Sequence, residues 1–368
     1  MRPAFSSGRQ AAAFALLLLL ILLAPALAGK KLLPPREAIY SSTGWKSGDF
    51  PYMDGQIFRE QSDVDILFMG SSHIWAAFDT PYVQARLSKQ LGRPAVARTF
   101  SWAWPGYDPL YFVAKDLFAH RPVRMLVFED DFDPTGQPHP VMPHLYRYGE
   151  DAVVLDGLSA TLRAKYYFAA VAGMPRNLLN MVRPNLPADL SATSYWEIQG
   201  KAPNLASNLG AITIHTGFAP NNSEQGPFED YKPQTSVTPD DVCIYSPETK
   251  TNFAFSSAGL PSMQLHFVQQ LGALMQARGC KLVVVHIPTF DERHSAVISE
   301  PVFWPDVLPG KITMIGIPPA TLFRGLSDND IKKLFSNPAH LNENGQNYFT
   351  SLMTPILLKT YESEIQNP

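Results

Sequence analysis

Short apolar runs alternate with amphipathic stretches in the part of the chain that begins at Asp65. Apolar runs of this length, each closed by a turn residue, are typical of strands buried on both faces of a parallel sheet. Amphipathic helices between such strands cover the two faces. We therefore predict an α/β fold with a mostly parallel sheet and helices on both faces. The predicted strands are 66–69, 95–100, 124–128 and 281–285, and the predicted helices are 81–87, 109–119 and 261–278.

The alternation breaks down over residues 134–257. This stretch is rich in Pro, Asn, Gly and Ser and contains one helical pattern, Ser159–Val182. We interpret it as an insertion in a single domain that spans residues 65–368. Because loops at the carboxyl ends of strands carry ligand sites, the insertion could cover the site and select the substrate. The alternative is a connecting region without a role in binding.

The amino terminus has the pattern of an export signal. Arg2 and Arg9 precede the apolar run Ala11–Leu23, which leads to the small-x-small sequence Ala26-Leu27-Ala28. This pattern predicts a secretory signal peptide within residues 1–28, cleaved after Ala28. The alternative is an uncleaved anchor, since residues 11–28 are just long enough to cross a bilayer. Both alternatives place the rest of the chain outside the cytoplasm, either periplasmic or secreted.

Composition narrows the classes of function only a little. Of 368 residues, 45% are hydrophobic and 17% charged, the net charge is -3, and no basic patch suggests a nucleic-acid partner. Residues 29–64 are turn-rich and are predicted to form an extended lead-in. Cys243 and Cys280 could form one disulfide or remain small buried thiols.

Two motifs at opposite ends of the α/β region carry candidate chemistry. Ser72, in Gly70-Ser71-Ser72, follows the first predicted strand and precedes a helix, whose first N–H groups could stabilise an oxyanion. A serine hydroxyl needs a nearby base to become nucleophilic. His340 lies in a turn before the final helix, which Asn342 is predicted to cap. Alone, the first motif is typical of a capping serine and the second of a surface histidine; together they predict one serine-nucleophile site.

This pair of motifs, in this order, resembles the SGNH or GDSL-type esterase and acyltransferase superfamily. The resemblance covers residues 65–133 and 261–360. It implies a flavodoxin-like sheet, Ser72 as nucleophile, His340 as base and no cofactor. Gly-Ser-Ser in place of Gly-Asp-Ser resembles the membrane-anchored extracytoplasmic members that acylate polysaccharides and cell walls. It therefore implies an esterase or O-acyltransferase acting on O-acyl, most plausibly O-acetyl, groups of a polysaccharide or cell-envelope glycan, with a membrane-bound acyltransferase as a candidate partner.

The family has two further short sequence motifs, its second and third blocks, which this chain matches less well. The second block would supply the N–H of Gly106, together with that of Ser72, to an oxyanion hole. Trp102 and Trp104 in this block could form a wall for the substrate or belong to the aromatic core. The third block normally supplies an asparagine, but this chain has an acidic turn at residues 129–133, and a carboxylate cannot donate to an oxyanion.

Asn337 stands where the family has the aspartate of its Asp-x-x-His motif. An amide there removes the charge that steadies the imidazolium, a change that costs about 10⁴ in kcat in one serine protease. Three alternatives remain. His340 is oriented by a backbone carbonyl or by Asn337 Oδ1, or another acid completes a triad, or the domain has lost catalysis and binds polysaccharide or a membrane partner. The candidate acids are Asp131, Asp133 and Asp330.

The acidic turn also permits a metal hypothesis. Grouped carboxylates suit hard cations and histidine suits zinc, but the spacing here matches no standard metal-binding loop. We therefore predict no metal. His286 ends a predicted strand and could face the site or be a satisfied strand-end histidine. The residues of this hypothesis are Glu129, Asp130, Asp131, Asp133, His139 and His144.

Overall fold

The computed structural model describes residue 5 and residues 7–28, 32–43, 49–182, 196–198, 214–216, 235–308, 310 and 312–365. The strands are β1 Val64–Ser71, β2 Ala97–Trp102, β3 Val123–Glu129, β4 Trp196–Ile198, β5 Ile214–Thr216, β6 Cys243–Ile244, β7 Phe253–Phe255, β8 Lys281–Val285, β9 Ile298–Glu300, β10 Ile312–Gly316, β11 Phe335–Asn337 and β12 His340–Leu341. The α-helices are α1 Gly8–Ala28, α2 Glu37–Ser42, α3 Phe50–Phe58, α4 Ser72–Ala77, α5 Thr80–Leu91, α6 Tyr107–Phe118, α7 Met142–Leu145, α8 Tyr148–Asp151, α9 Ala160–Val182, α10 Ser262–Ala277, α11 Trp304–Val307, α12 Pro319–Leu322, α13 Asp328–Lys332 and α14 Glu343–Ile365.

A six-stranded sheet in the order β2-β1-β3-β8-β10-β6 forms the centre of the fold. Neighbouring strands from β2 to β10 run parallel, and β6 pairs antiparallel with β10 at the edge. Counted along the chain, the parallel strands have the order 2-1-3-4-5, which is that of flavodoxin-like sheets. The prediction of an α/β fold with a mostly parallel sheet is confirmed, and the strand order is compatible with a flavodoxin-like fold.

Two apolar layers cover the sheet because successive side chains of each buried strand point to opposite faces. In β1, Leu67 and Met69 join one core, which includes α3, α6 and α10. Ile66 and Phe68 join the second core, which includes α5 and α14. All eight residues of β1 are buried, which explains the near-continuous apolar run seen in the sequence. This strand therefore holds the residue that follows it in a rigid position.

The prediction that residues 29–64 form an extended lead-in is wrong. Within this stretch, α2 and α3 are helical, and Phe50, Met53 and Ile57 are fully buried in the first core. These three residues have helical spacing, and glycines around them made the segment look turn-rich. Arg36 ties the segment to the domain, since its guanidinium lies 2.8 Å from Asp116 Oδ2. The folded domain thus begins before Asp65.

The region predicted as an insertion contributes to the fold where it is described. It contains α7, α8 and α9, the short pair β4–β5, the sheet-edge strand β6 and β7. Residues 183–195, 199–213 and 217–234 of this predicted insertion lie outside the described residues. Cys243 and Cys280 are both free thiols, so the disulfide alternative is wrong.

The amino-terminal helix α1 is apolar and mostly exposed. It is 21 residues long, an 18-residue window of it has a mean hydropathy of 2.7, and among the described residues it is the one helix long and apolar enough to cross a membrane. A signal peptide and an anchor both have these properties. Near its carboxyl end the helix contacts α9, where the Tyr167 hydroxyl donates a hydrogen bond to the Leu22 carbonyl at 2.6 Å.

Candidate functional site

The candidate residues meet at the carboxyl-terminal edge of the sheet. Ser72 directly follows β1, Asp130 directly follows β3, and His286 directly follows β8. The chain passes from β1 to β2 on one side of β1 and returns to β3 on its other side. In parallel α/β sheets, this reversal of strand order opens the crevice in which ligands bind.

The structure brings Ser72 and His340 into hydrogen-bonding contact. Ser72 Oγ lies 2.7 Å from His340 Nε2, although the two residues are 268 positions apart in the chain. Ser72 begins α4, and Ser71 caps this helix by accepting a hydrogen bond from the His73 N–H. His340 lies in β12, which pairs with β11 and packs against α4. The distance and the two element ends are those of a nucleophile and its base.

Asn337 occupies the position beside the other ring nitrogen of His340. Its Oδ1 lies 2.9 Å from His340 Nδ1 and accepts hydrogen bonds from the backbone N–H groups of Ala339 and His340 at 2.9 and 3.0 Å. Two backbone donors that point at this atom identify it as the amide oxygen. His340 Nδ1 therefore carries the ring proton, and the lone pair of Nε2 faces the Ser72 hydroxyl.

The imidazole of His340 is kept neutral. Its pKa is lowered to about 3, first by burial and then by the neighbouring His73. The His73 ring meets the His340 ring edge-on, with centroids 4.7 Å apart. A neutral ring can accept the serine proton, but nothing on Asn337 compensates the positive charge that this transfer creates.

Glu129 holds the turn that carries Ser72. One of its carboxylate oxygens accepts a hydrogen bond from the Ser71 N–H, and the other accepts one from the Ile74 N–H at 2.9 Å. Gly70 leaves room for this carboxylate, since a Cβ there would lie 2.7 Å from Glu129 Oε1. Burial and then the nearby Asp131 raise the pKa of Glu129. The sequence placed Glu129 in an acidic turn, and no local pattern revealed that it points back under β1.

The three acids proposed to complete a triad lie elsewhere. Asp131 Oδ2 is 3.2 Å from His73 Nδ1, and Asp133 accepts hydrogen bonds from Thr135. Asp330 lies in the first turn of α13, where its carboxylate accepts a hydrogen bond from the Ser327 hydroxyl and pairs with Lys333. The position at His340 Nδ1 belongs to Asn337 instead. Of the alternatives left open by the sequence, the geometry matches a Ser–His pair oriented by Asn337 Oδ1.

The second block of the family resemblance is only partly placed at the site. Trp102 is fully buried in the first core beside Ser71, its partner in the sheet register, so its assignment to a substrate wall is wrong. Trp104 is 57% exposed and has a backbone φ of 63°, a conformation that is strained for a bulky residue. Gly106 is the N-cap of α6. Its oxyanion role and the wall role of Trp104 stay predictions.

A cavity of about 370 Å³ lies next to the Ser72–His340 pair, to which His73 connects it. His73 directly follows Ser72, lines the cavity and contacts the His340 ring. Across the cavity, His286 Nδ1 lies 2.7 Å from Asp130 Oδ2. Burial alone would lower the pKa of His286, but the Asp130 carboxylate raises it to about 9. His286 therefore faces the site as a cation. The cavity is lined by His73, Asp130, Asp131, Phe132, Ser256, His286, Ile287, Thr289, Glu292, Ser299, Glu300 and Pro301.

The residues of the metal hypothesis do not converge. His139 Nε2 bonds to the Ala103 carbonyl at 2.8 Å, and His144 Nδ1 lies 2.8 Å from an Arg176 nitrogen. Throughout the described ranges, no group of three or more His, Cys, Asp or Glu side chains could hold a metal ion.

Comparisons of the chain with protein-family models, with curated proteins and with solved structures found no match.

Proposed function

We propose that the protein is an extracytoplasmic serine esterase or O-acyltransferase. The observation that carries the proposal is the chain of contacts from Ser72 Oγ to His340 Nε2, at 2.7 Å, and from His340 Nδ1 to Asn337 Oδ1, at 2.9 Å. This chain of contacts contains the Ser72 hydroxyl at the edge of the sheet, the neutral His340 ring in the tautomer that can accept its proton, and the Asn337 amide that fixes the ring. These are the parts of a serine nucleophile.

The proposed reaction has two acyl-transfer steps. Ser72 Oγ attacks the carbonyl carbon of an ester, and its proton moves to His340 Nε2. The bond between this carbon and the alcohol oxygen then breaks, and His340 returns the proton to the leaving alcohol. Water or a sugar hydroxyl next attacks the acyl-Ser72 ester, again losing its proton to His340, which passes it to Ser72 Oγ as that bond breaks. The Ser72 and Gly106 N–H groups are the proposed donors to the oxyanion.

The substrate class follows from the resemblance of the Gly70-Ser71-Ser72 motif and from the apolar amino-terminal helix. An O-acyl group, most plausibly O-acetyl, on a polysaccharide or cell-envelope glycan is the proposed substrate. An export signal or anchor at α1 would place the site beside such glycans. A membrane-bound acyltransferase is the proposed partner if the reaction is a transfer rather than a hydrolysis.

One observation favours a second candidate function, a protein that binds polysaccharide or a membrane partner without turnover. Asn337 carries no charge, and the pKa of His340 is lowered to about 3. Both features disfavour the imidazolium that the reaction passes through. The two candidates share the same site and differ in whether Ser72 is acylated.

Hydrolysis of p-nitrophenyl acetate separates the two candidates. We expect the full-length protein to release p-nitrophenol and the Ser72→Ala variant to lose at least about 99% of this rate, since the nucleophile is gone. Ser351→Ala is the matched control, because Ser351 is an exposed serine on α14 whose hydroxyl donates a hydrogen bond within its own helix, to the Tyr348 carbonyl. Equal rates for the wild type and Ser72→Ala would favour the binding protein.

A further inference from the structure

Acidic side chains line the cavity beside Ser72. Among the described residues that line it are four Asp or Glu side chains and no Lys or Arg. Burial raises the pKa values of Glu300 and Asp131, so a positive charge beside them would stabilise their charged forms. The His286 imidazolium balances one of the four, Asp130, at 2.7 Å. Asp131 and Glu292 keep part of their side chains exposed, 38% and 28% respectively, so each can reach a ligand in the cavity. The acidic side chains that His286 does not balance favour a cation in the cavity over an anion or a neutral group of the same size.

Two buried polar atoms point to a ligand independently of the charge. Glu300 is 2% exposed; its Oε2 accepts a hydrogen bond from Trp304 Nε1 at 2.6 Å, while its Oε1 has no hydrogen-bond partner within the described ranges. His286 is 4% exposed; its Nδ1 is held by Asp130, while its Nε2 likewise has no hydrogen-bond partner there and lies 3.6 Å from Glu292 Oε1. Buried polar groups normally find a partner. Each side chain is thus fixed at one end and presents the other to the cavity.

The two atoms need partners of opposite kinds. Burial, and then the nearby Asp130, raise the pKa of Glu300 well above its ordinary value, so a positively charged donor at Oε1 would stabilise its charged, accepting form. Nε2 of the His286 imidazolium is a donor and needs an acceptor. A protonated amine close to a hydroxyl or carbonyl oxygen offers both. The ammonium group can also reach the partly exposed carboxylates of Asp131 and Glu292, and the pairing of His286 with Asp130 limits its repulsion of a cation.

We propose that this cavity binds a protonated primary amine of the substrate, placed next to the ester that Ser72 attacks. Glu300 and Asp131 accept hydrogen bonds from the ammonium group, and His286 donates one to a neighbouring oxygen of the substrate. The inference rests on the proposed function for the position of the ester, but the binding of the amine does not depend on turnover. An amino sugar with a free amine and an aminoacyl ester share this chemistry.

Binding to the full-length Ser72→Ala protein, kept in detergent, tests the inference without turnover. Two matched pairs of probes would be titrated by isothermal calorimetry at a pH where the amines are protonated. D-Glucosamine is compared with D-glucose, and alanine methyl ester with methyl lactate. We expect the aminated member of at least one pair to bind about tenfold more tightly or better. The pair that shows the preference identifies the sugar or the acyl group as the source of the amine.

Variants that each remove one acidic group identify the residues responsible for the preference for the amine. Glu300→Gln should reduce this preference at least fivefold, and Asp131→Asn, at a more exposed position that is easier to substitute, should reduce it as well. Glu248→Gln is the control, since this glutamate pairs with Ser246 in a surface loop outside the cavity. Equal binding of both members in both pairs, or an unchanged preference in Asp131→Asn, overturns the inference.

The outcome is separate from that of the esterase assay. If the wild type hydrolyses p-nitrophenyl acetate and binds amines no better than their neutral counterparts, the proposed enzyme stands and the amine site falls. If the amine preference is present and Ser72→Ala hydrolyses as fast as the wild type, the amine site stands and the enzyme falls.

Discussion

At the scale of single residues, Asn337 separates two tasks that an aspartate would perform together. Its Oδ1 fixes the ring of His340 at 2.9 Å and selects the tautomer in which Nδ1 carries the proton. An amide supplies no negative charge, so the imidazolium that forms during acyl transfer is not stabilised. Orientation is retained and electrostatic support is lost.

Replacing Asn337 with aspartate should therefore increase activity. A carboxylate at this position can accept the same three hydrogen bonds and adds the missing charge. We expect Asn337→Asp to raise kcat/KM for p-nitrophenyl acetate at least tenfold at neutral pH, with about 10⁴ as an upper bound from serine proteases. The matched control is Asn347→Asp, an exposed position in α14.

The pH profile provides a second readout of the same substitution. His340 must be neutral to act as a base, and its pKa is lowered to about 3, so the wild-type rate should persist well below pH 6.5. The added carboxylate favours the protonated ring and raises this pKa, so the acid limb of the profile should move to higher pH. A variant that loses activity with an unmoved acid limb would contradict this account of Asn337.

At the scale of elements, the turn between β1 and α4 depends on one buried carboxylate. Glu129 accepts N–H groups on both sides of Ser72, from Ser71 and Ile74. Glu129 ends β3, so the strand next to β1 sets the position of Ser72. The close fit at Gly70 leaves this turn little freedom to shift.

Glu129→Gln should loosen this turn. A glutamine has one acceptor oxygen, so its NH₂ group would face one of the two backbone N–H donors and a buried hydrogen bond would be lost. The pKa of Glu129 is raised to about 8 by burial and then by Asp131, so the comparison is made above that pH, where both of its oxygens are acceptors. We expect the free energy of unfolding to fall by about 1–3 kcal/mol, measured by chemical denaturation, with a fall in kcat at least as large as that of kcat/KM. Asp63→Asn is the control: Asp63 is half exposed and lies 3.7 Å from Arg124, a contact that contributes little. If Glu129→Gln has the stability and the rate of the wild type, Glu129 does not hold the turn that carries Ser72.

The periodicity of the sequence was enough to locate the strands β1, β3 and β8. It was not enough to locate elements whose positions depend on contacts with distant parts of the chain. The runs at β1, β3 and β8 are apolar on both faces, so each could be located within about two residues. In α3, three core residues have helical spacing, but the turn-rich flanks hid the pattern. The start of α5 shows the limit at one residue: the helix was predicted to begin at residue 81, whereas it begins at Thr80 and is capped by the Asp79 side chain.

The candidate site, like the fold, could be predicted from the sequence only in part. Local sequence reveals that Ser72 lies where a strand gives way to a helix and that His340 lies shortly before the final helix. The partner of His340 Nδ1 could not be chosen among Asn337 and three acids, because that choice depends on how β11 and β12 turn. The cavity with Glu300 was also missed, since β9 pairs with β7 outside the main sheet and carries no pattern of its own.

At the scale of the whole molecule, α1 is joined to the folded domain rather than separated from it. The helix continues through Ala28, the predicted cleavage site, and Ala28 is buried. The hydrogen bond from Tyr167 to the Leu22 carbonyl attaches the helix to α9. Phe168 and Leu178, on α9, are exposed apolar residues, so this side of the domain suits the surface of a bilayer.

We therefore expect α1 to be retained as a membrane anchor. In cells that export the protein, mass spectrometry of the mature amino terminus should find residues before Gly29, and the protein should stay in the membrane fraction after alkaline carbonate and leave it in detergent. A variant in which a cleavable signal replaces residues 1–28 should be soluble, because it lacks the 21-residue apolar helix. A mature chain that begins at Gly29 in the wild type would establish a cleaved signal, and the contact of α1 with α9 would then have no part in the exported protein.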